Sequence, residues 1–315
     1  MVKRVLLAAP RGYCAGVERA VETVERLLEE HGAPVYVRKQ IVHNSHVVRD
    51  LTERGAVFVA SVDDVPEGAL VVFSAHGVAP VVRVGAARRA LRAVDATCPL
   101  VAKVHAEARR YAADGYTVVL VGHAGHEEVE GTMGEAPDST VLVQSVADVA
   151  RLAIADPARV AYVTQTTLSV DETAEIVEAL RRRFPALRGP ATEDICYATT
   201  NRQRAVKELL PHVQLLLVIG SHNSSNSRRL VEVAHAADVE ARLLDDADEL
   251  EESWFRGVET VGVTSGASAP ETLVAGVCDW FRAHGVADIR ELRPEQEDVV
   301  FRLPAELGRS RRPAA

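Results

Sequence analysis

The sequence predicts an α/β protein built as three similar small units, and three observations carry that reading. Short β-branched or leucine-rich runs recur along all 315 residues, each ending in a polar or small-residue break. Segments with apolar residues at helical spacing follow the breaks, the alternation that gives parallel sheets covered by helices. Cys14, Cys98 and Cys196 recur 84 and 98 residues apart, about the size of one small α/β unit. A pseudo-threefold trefoil explains the repeat economically, with each unit bringing one thiol and its strand-end loops to a common centre.

Taken in order, the predicted strands are 4–8, 34–38, 57–60 and 70–73, then 117–121, 140–143 and 159–164, then 213–219, 240–244 and 260–263. Each is a short Val-, Leu- or Ile-rich run, as buried parallel strands require. Predicted helices are 15–31, 100–114, 170–184, 201–210, 227–237 and 269–283. Capping chemistry supports them: Ser169 precedes Val-Asp-Glu-Thr, Asn201 opens a polar–apolar repeat, and Pro270 suits a first helical turn. The units are 1–97, 98–195 and 196–285, with 286–315 a C-terminal extension whose charged end, 309–315, reads as frayed.

Composition narrows the function. With 36 basic and 45 acidic side chains the net charge is −9, which argues against a nucleic-acid partner. No apolar run approaches the roughly 18 to 20 residues that span a bilayer, and the first apolar stretch breaks at Arg11-Gly12 without a cleavage pattern. A cytoplasmic protein without a membrane partner is expected. Four cysteines there are ligands, reactive thiols or core residues rather than a disulfide framework. Cys278, with apolar neighbours at helical spacing, reads as core.

The other three cysteines each stand at a predicted helix start, where the thiolate is favoured and a soft metal centre is suited. Three thiolates on a cubane leave one iron open, whereas zinc on the same thiols, or three unrelated buried cysteines, are the competing readings. His43, His76 and His126 stand in strand-end loops, the usual place for ligands of open α/β sheets, and suit a shared anion site. The loop 221–227 brings Asn223, Ser224, Ser225, Asn226 and Ser227 to a helix start, where backbone N–H groups favour phosphate, the alternative being a hydrophilic loop with an N-cap. Ser268 is a second helix-start hydroxyl, or only a cap.

His126-Glu-Glu-Val-Glu lacks the second His of a zinc protease, and no P-C-x-x-C completes a zinc deaminase. Glu128 is the better proton carrier of the two adjacent carboxylates, on the reading that Glu127 points elsewhere. Thr166 and Thr167 suit a substrate hydroxyl, or merely precede the cap at Ser169. Neither a dinucleotide nor a nucleoside-triphosphate fingerprint is present.

Nine stretches in register carry a family resemblance: Pro10-Arg-Gly-Tyr-Cys-Ala-Gly-Val, Ile41-Val-His-Asn, Phe73-Ser-Ala-His-Gly-Val, Asp95-Ala-Thr-Cys-Pro, Gly125-His-Glu-Glu-Val-Glu-Gly-Thr-Met-Gly, Gln165-Thr-Thr-Leu-Ser-Val, Asp194-Ile-Cys-Tyr-Ala-Thr-Thr-Asn-Arg-Gln, Asn223-Ser-Ser-Asn-Ser and Gly266-Ala-Ser-Ala-Pro. They resemble the 4-hydroxy-3-methylbut-2-enyl diphosphate reductases of the non-mevalonate isoprenoid pathway. The resemblance implies a trefoil around a central iron-sulfur site and removal of an allylic hydroxyl with two electrons and two protons, giving isopentenyl and dimethylallyl diphosphates. It implies a [4Fe-4S] cluster, one per chain, on Cys14, Cys98 and Cys196, with the substrate hydroxyl on its open iron. His43, His76, His126, Ser224, Ser225, Asn226 and Ser268 would surround the diphosphate. Glu128 would supply protons, Thr166 would hold the hydroxyl and help relay them, and ferredoxin or flavodoxin would deliver electrons. The departures are Glu127, where the resemblance leads one to expect Pro, and His222, where Lys is expected.

Two other classes compete: a zinc-dependent hydrolase or deaminase using Glu128, and a non-catalytic phosphate-metabolite binding protein with core cysteines.

Overall fold

A computed structural model describes residues 2–292 and 297–309. The chain begins β1 (Arg4–Ala8), α1 (Ala15–His31), β2 (Val35–Arg38), α2 (Ser45–Glu53), β3 (Ala56–Val59), β4 (Leu70–Phe73), α3 (Pro80–Arg88) and β5 (Arg92–Asp95). It continues with α4 (Pro99–Ala113), β6 (Thr117–Val121), α5 (Glu127–Met133), β7 (Thr140–Val143), α6 (Val146–Arg151), β8 (Val160–Thr164) and α7 (Val170–Arg183). The last stretch holds α8 (Tyr197–Leu209), β9 (Leu215–Ile219), α9 (Ser225–His235), β10 (Glu240–Leu244), β11 (Thr260–Ser265), α10 (Glu271–Ala283), β12 (Asp288–Leu292) and α11 (Ala305–Arg309).

Among the described residues every strand pair is parallel, in three sheets: β10-β9-β11-β1-β12, β3-β2-β4-β5 and β7-β6-β8. The α/β class is therefore as the periodicity predicted. Two compact units contain them. One unit comprises the chain up to Ala15, His43–Val47 and Tyr197–Val300, and holds the five-stranded sheet. The other comprises Gly16–Val42, Val48–Cys196 and the chain from Phe301, and holds the other two sheets.

In the five-stranded sheet, side-chain alternation sorts the core onto two faces. Val5, Leu7, Leu217, Val261 and Val263 pack with Val274, Val277, Cys278 and Phe281 of α10. Leu6, Ala8, Leu216 and Val218 pack with Val206 and Leu209 of α8 and Leu230 and Val233 of α9. Burial on both faces explains why β9 reads Leu-Leu-Leu-Val-Ile without a polar position. In the other unit, Val119 and Val121 face Ile176 and Leu180 of α7, while Val118 and Leu120 face Val104 and Ala108 of α4.

Arg4–Ala8 was expected in the first third of the chain, yet it pairs with β11 on one side and β12 on the other. An all-apolar strand buries both faces best between two neighbours, and local sequence does not name them. Two edge strands went unpredicted. Arg92-Ala-Val-Asp and Asp288-Ile-Arg-Glu-Leu are half polar because edges are partly solvated. The second lies in the C-terminal extension, which therefore contributes a strand.

The short helices α2, α3, α5 and α6 were also missed, being too brief to show a period. Helix starts differ from expectation by a few residues: α8 begins at Tyr197 instead of 201, α9 at Ser225 instead of 227, and α10 at Glu271 with Pro270 as its N-cap. Ser169 does cap α7, accepting the Glu172 N–H. Among the described residues no helix is long and apolar enough to cross a membrane.

Candidate active site

The three cysteines at predicted helix starts do precede helices. Cys14 stands just before α1 and Cys196 just before α8, and Cys98 is the N-cap of α4, followed by Pro99 at the first helical position. All three are of intermediate burial and none is in a disulfide, whereas Cys278, on α10, is buried in the core. Backbone bonds fix each one. Cys14 N–H donates to Ala267 O (3.2 Å), Cys98 N–H to Ala75 O (3.0 Å) and Cys196 N–H to Thr166 O (3.1 Å). Partial positive charge at a helix start favours an anionic group there.

In the unit that carries Cys14, the loop after β9 meets the loop after β11. Ser224 caps α9, its Oγ accepting the Ser227 N–H (3.3 Å) and the Ser227 hydroxyl (3.0 Å). Ser268 Oγ lies 3.5 Å from Ser224 Oγ and donates to His43 O (2.9 Å), so it bridges two loops and does not cap α10. Asn226 Oδ1 accepts the Ala267 N–H (2.8 Å), and Asn223 Nδ2 is 3.4 Å from His43 Nδ1. His43, Ser224, Ser225, Asn226 and Ser268 are all buried. The packing depends on glycine at two strand ends. A Cβ on Gly220 or Gly266 would stand 2.2 or 2.1 Å from the same Ser227 Oγ. Sequence reading brought Asn223, the serines, Asn226 and His43 to attention, but gave no sign that Ser227 bonds the Ser224 cap or that Asn223 meets His43.

In the other unit, α5 begins at the end of β6. His126 is its N-cap, Nδ1 accepting the Glu128 N–H (3.2 Å), which makes Nε2 the protonated nitrogen of a neutral ring. Glu128 is 2% exposed. Its Oε1 accepts the Thr166 N–H (2.6 Å) and its Oε2 the Thr166 hydroxyl (3.1 Å). Burial pushes the Glu128 carboxyl up to about 7, against the bonds from Thr166 and the charge of His76, which pull it down.

The expectation that Glu127 points elsewhere needs correcting. Its Oε2 lies 3.5 Å from His76 Nδ1, and the His76 and His126 rings meet edge to face at 5.8 Å between centroids. In a single helical turn following the His126 cap, both carboxylates face inward. Thr167 takes no part in that contact and accepts from Gln165 Nε2 (2.9 Å).

An ion pair between a half-buried lysine and a buried aspartate, unforeseen from sequence, supports the Cys196 segment. Lys103 on α4 bonds Asp194 Oδ1 (3.0 Å) and the carbonyls of Thr192 (2.5 Å) and Glu193 (3.1 Å), while Asp194 Oδ2 accepts the Thr164 N–H (2.9 Å). Burial raises the Asp194 carboxyl to about 6 even so. Among the described residues no three His, Cys, Asp or Glu side chains gather as a single metal ion requires.

A buried carboxylate held near neutrality, bonded to a threonine and neighboured by histidines at the carboxyl ends of parallel strands, is the equipment of an α/β enzyme that moves protons. Comparison with known proteins gives the family. The LytB protein family model matches residues 5–282, and the chain belongs to that family. It is 59% identical over 311 residues, 98% of this chain and 93% of the relative, to the 4-hydroxy-3-methylbut-2-enyl diphosphate reductase of Nocardia farcinica. Identity to the reductase of the same name from Acidothermus cellulolyticus is also 59%, over 98% of this chain and 91% of the relative. Among solved structures, the E-1-hydroxy-2-methyl-but-2-enyl-4-diphosphate reductase of Plasmodium falciparum matches with a TM-score of 0.93 and 37% identity, covering 98% of both chains. A second, described as (E)-4-hydroxy-3-methyl-but-2-enyl diphosphate reductase, the terminal enzyme of the non-mevalonate pathway, matches at 0.63 and 32%, covering 90% of this chain and all of the other.

Proposed function

We propose that this protein reduces (E)-4-hydroxy-3-methylbut-2-enyl diphosphate to isopentenyl and dimethylallyl diphosphates. The reaction consumes two electrons and two protons and releases water: one proton leaves with the departing hydroxyl, and the other goes to carbon. The observation that carries the reading is the Glu128–Thr166 pair. Its carboxyl titrates near neutrality and can both donate and regain a proton. Relatives bearing the reductase name at 59% identity support the substrate.

Cys14, Cys98 and Cys196 would hold a [4Fe-4S] cluster. Their chemistry fits: all three are cysteines outside any disulfide and next to helix starts, and a cluster takes each thiolate on a different iron, so it does not need the gathered ligands of a single ion. When bound, such a cluster supplies electrons and a Lewis-acidic iron. The chain does the rest. Ser224, Ser225, Asn226 and Ser268 offer hydroxyl, amide and helix-start N–H donors to a diphosphate, His43, His76 and His126 add donors, and His126 presents Nε2–H. Thr166 holds the substrate hydroxyl beside Glu128, which protonates it as it leaves. Neutral or partly protonated histidines, hydroxyls and helix ends orient the diphosphate without a lysine clamp. Ferredoxin or flavodoxin is the proposed electron donor and the cytoplasm the proposed compartment, consistent with four cysteines outside any disulfide.

The test is anaerobic purification with iron, sulfide and zinc analysis, followed by turnover of the hydroxylated diphosphate with a chemical reductant. Expected are about four irons and four sulfides per chain and both isoprenoid products. A colourless chain that resists reconstitution, or one holding a single zinc, overturns the reading.

A further inference from the structure

Arg202 has the largest side chain among those fully buried in the described residues, and its place explains a part of the Asp194–Gln203 motif to which the proposed reaction gives no task. It lies on α8 with no exposed surface. Its Nε and Nη2 donate to Gly12 O (3.2 and 2.7 Å), and Nη2 also reaches Tyr13 O (3.3 Å). Nη1 donates to Ala198 O (3.0 Å) and to the two carboxylate oxygens of Glu297 (3.3 and 3.2 Å). Asn201, the residue before it, donates from Nδ2 to Glu297 Oε1 (2.9 Å). The guanidinium fork thus grips the two carbonyls immediately before Cys14, as only a planar five-donor group can.

The rest of that loop is equally tied. Gly12, at φ +72°, donates its N–H to Ser265 Oγ (2.8 Å), and Ala15 N–H donates to the Tyr197 hydroxyl (3.1 Å). The only carboxylate bonded to the buried guanidinium among the described residues comes from Glu297, in the C-terminal extension. A buried cation deprived of its partner is costly, and a charge a few residues from a redox group shifts that group's potential.

We infer that Glu297 is a positioning and charge-setting residue for the metal ligand Cys14: by neutralising Arg202 it holds the Gly12–Tyr13 carbonyls in place and keeps the potential of the bound cluster low. The inference rests on the cluster reading above. The C-terminal segment, which sequence reading left without a role, thereby becomes part of the redox site's support.

The experiment uses the full chain, anaerobically reconstituted, with Glu297→Gln, Glu297→Asp and Arg202→Lys beside the parent. Two quantities are read: the midpoint potential by spectroelectrochemistry, and the rate of iron loss to a chelator. Glu297→Gln removes a negative charge and leaves Arg202 charged, so reduction becomes easier. The expected change is a threefold to tenfold shift of the equilibrium toward the reduced form, tenfold being about 59 mV for one electron. Iron loss should quicken at least threefold. Glu297→Asp keeps the charge and returns the potential to within a factor of two of the parent. Arg202→Lys keeps the charge but loses the fork, so it quickens iron loss while leaving the potential nearly unmoved. Glu297→Gln matching the parent in both quantities overturns the inference, and so does Glu297→Asp shifting the potential as far as Gln. A parent that binds no iron and sulfide overturns the cluster reading itself, and the inference falls with it, so the two failures are told apart by the parent alone.

Discussion

Both oxygens of the Glu128 carboxylate end on Thr166, one on its backbone N–H at 2.6 Å and one on its hydroxyl at 3.1 Å. The two residues are 38 positions apart, on α5 and on the loop after β8, and the contact fixes the carboxylate in one orientation. Burial nonetheless dominates its titration and raises it to about 7. Glu128→Gln keeps the shape and removes the proton, so kcat should fall by roughly 100- to 10,000-fold while substrate affinity changes little. Turnover equal to the parent would end the proton-donor role.

The same shift has a thermodynamic sign. The folded protein keeps this proton up to about pH 7, whereas an unfolded glutamate releases it near pH 4.5. Folding takes up a proton in that window, so stability declines as pH rises through it, by on the order of 3 kcal/mol in total. Glu128→Gln should flatten this part of the profile. Melting temperatures of parent and variant between pH 4.5 and 8, both free of cluster, measure it, and parallel curves would refute the assignment.

Thr166→Val removes the hydroxyl bond and leaves the backbone N–H in place. The Thr166 bonds hold the Glu128 pKa down, so losing one lets it rise further. The alkaline limb of the kcat/KM profile should move up by about half a unit to one unit. A limb that stays fixed while the rate drops would confine Thr166 to substrate contact.

How much of this was legible beforehand differs between fold and site. Fully buried strands such as β4 and β9 announce themselves because both faces are apolar. Arg92–Asp95 and Asp288–Leu292 do not, since an edge strand keeps polar residues on its solvated side. Nor does any local pattern say that Arg4–Ala8 pairs with strands nearly 260 and 290 positions away. Residue types and loop positions picked out Glu128 and Thr166 separately, and only the family motifs joined them. Glu127 was misjudged because helix spacing alone does not show that the His126 cap turns both carboxylates inward. The Lys103–Asp194 pair had no sequence signal at all: a lysine on one element and an aspartate 91 residues later are ordinary surface residues until the fold buries the aspartate.

Gly220 and Gly266 approach one atom, Ser227 Oγ, from two strand ends. A methyl group at 266 would press on Ser227 Oγ at 2.1 Å and its Cβ at 3.2 Å, while the next atom, Asn226 Oδ1, sits at an ordinary 3.4 Å. Gly266→Ala should therefore cost about 1 to 3 kcal/mol and raise KM through displacement of Ser224–Asn226 at the start of α9. Placing Gly266→Ala in a Ser227→Gly background removes both close atoms and should recover at least about 1 kcal/mol of that cost in a double-mutant cycle. Strict additivity would show that the strain lies elsewhere.

The cysteines separate under one substitution. Cys278 is 4% exposed and packs among Val274, Val277 and Phe281, so Cys278→Ser buries a hydroxyl in an apolar setting and should cost about 1 to 3 kcal/mol without changing iron content. Cys98 is half-buried at the N-cap of α4, where its side chain makes no capping bond. Serine is a better cap than cysteine, so Cys98→Ser in the cluster-free chain should leave the melting temperature unchanged or slightly higher. The same variant should lose more than half of its iron after reconstitution, because a hydroxyl is a poor substitute for a soft thiolate. Iron content and melting temperature of the two variants, measured side by side, decide the matter. If Cys98→Ser destabilised the chain like Cys278→Ser and kept its iron, Cys98 would be a core residue and the cluster would lose its second ligand.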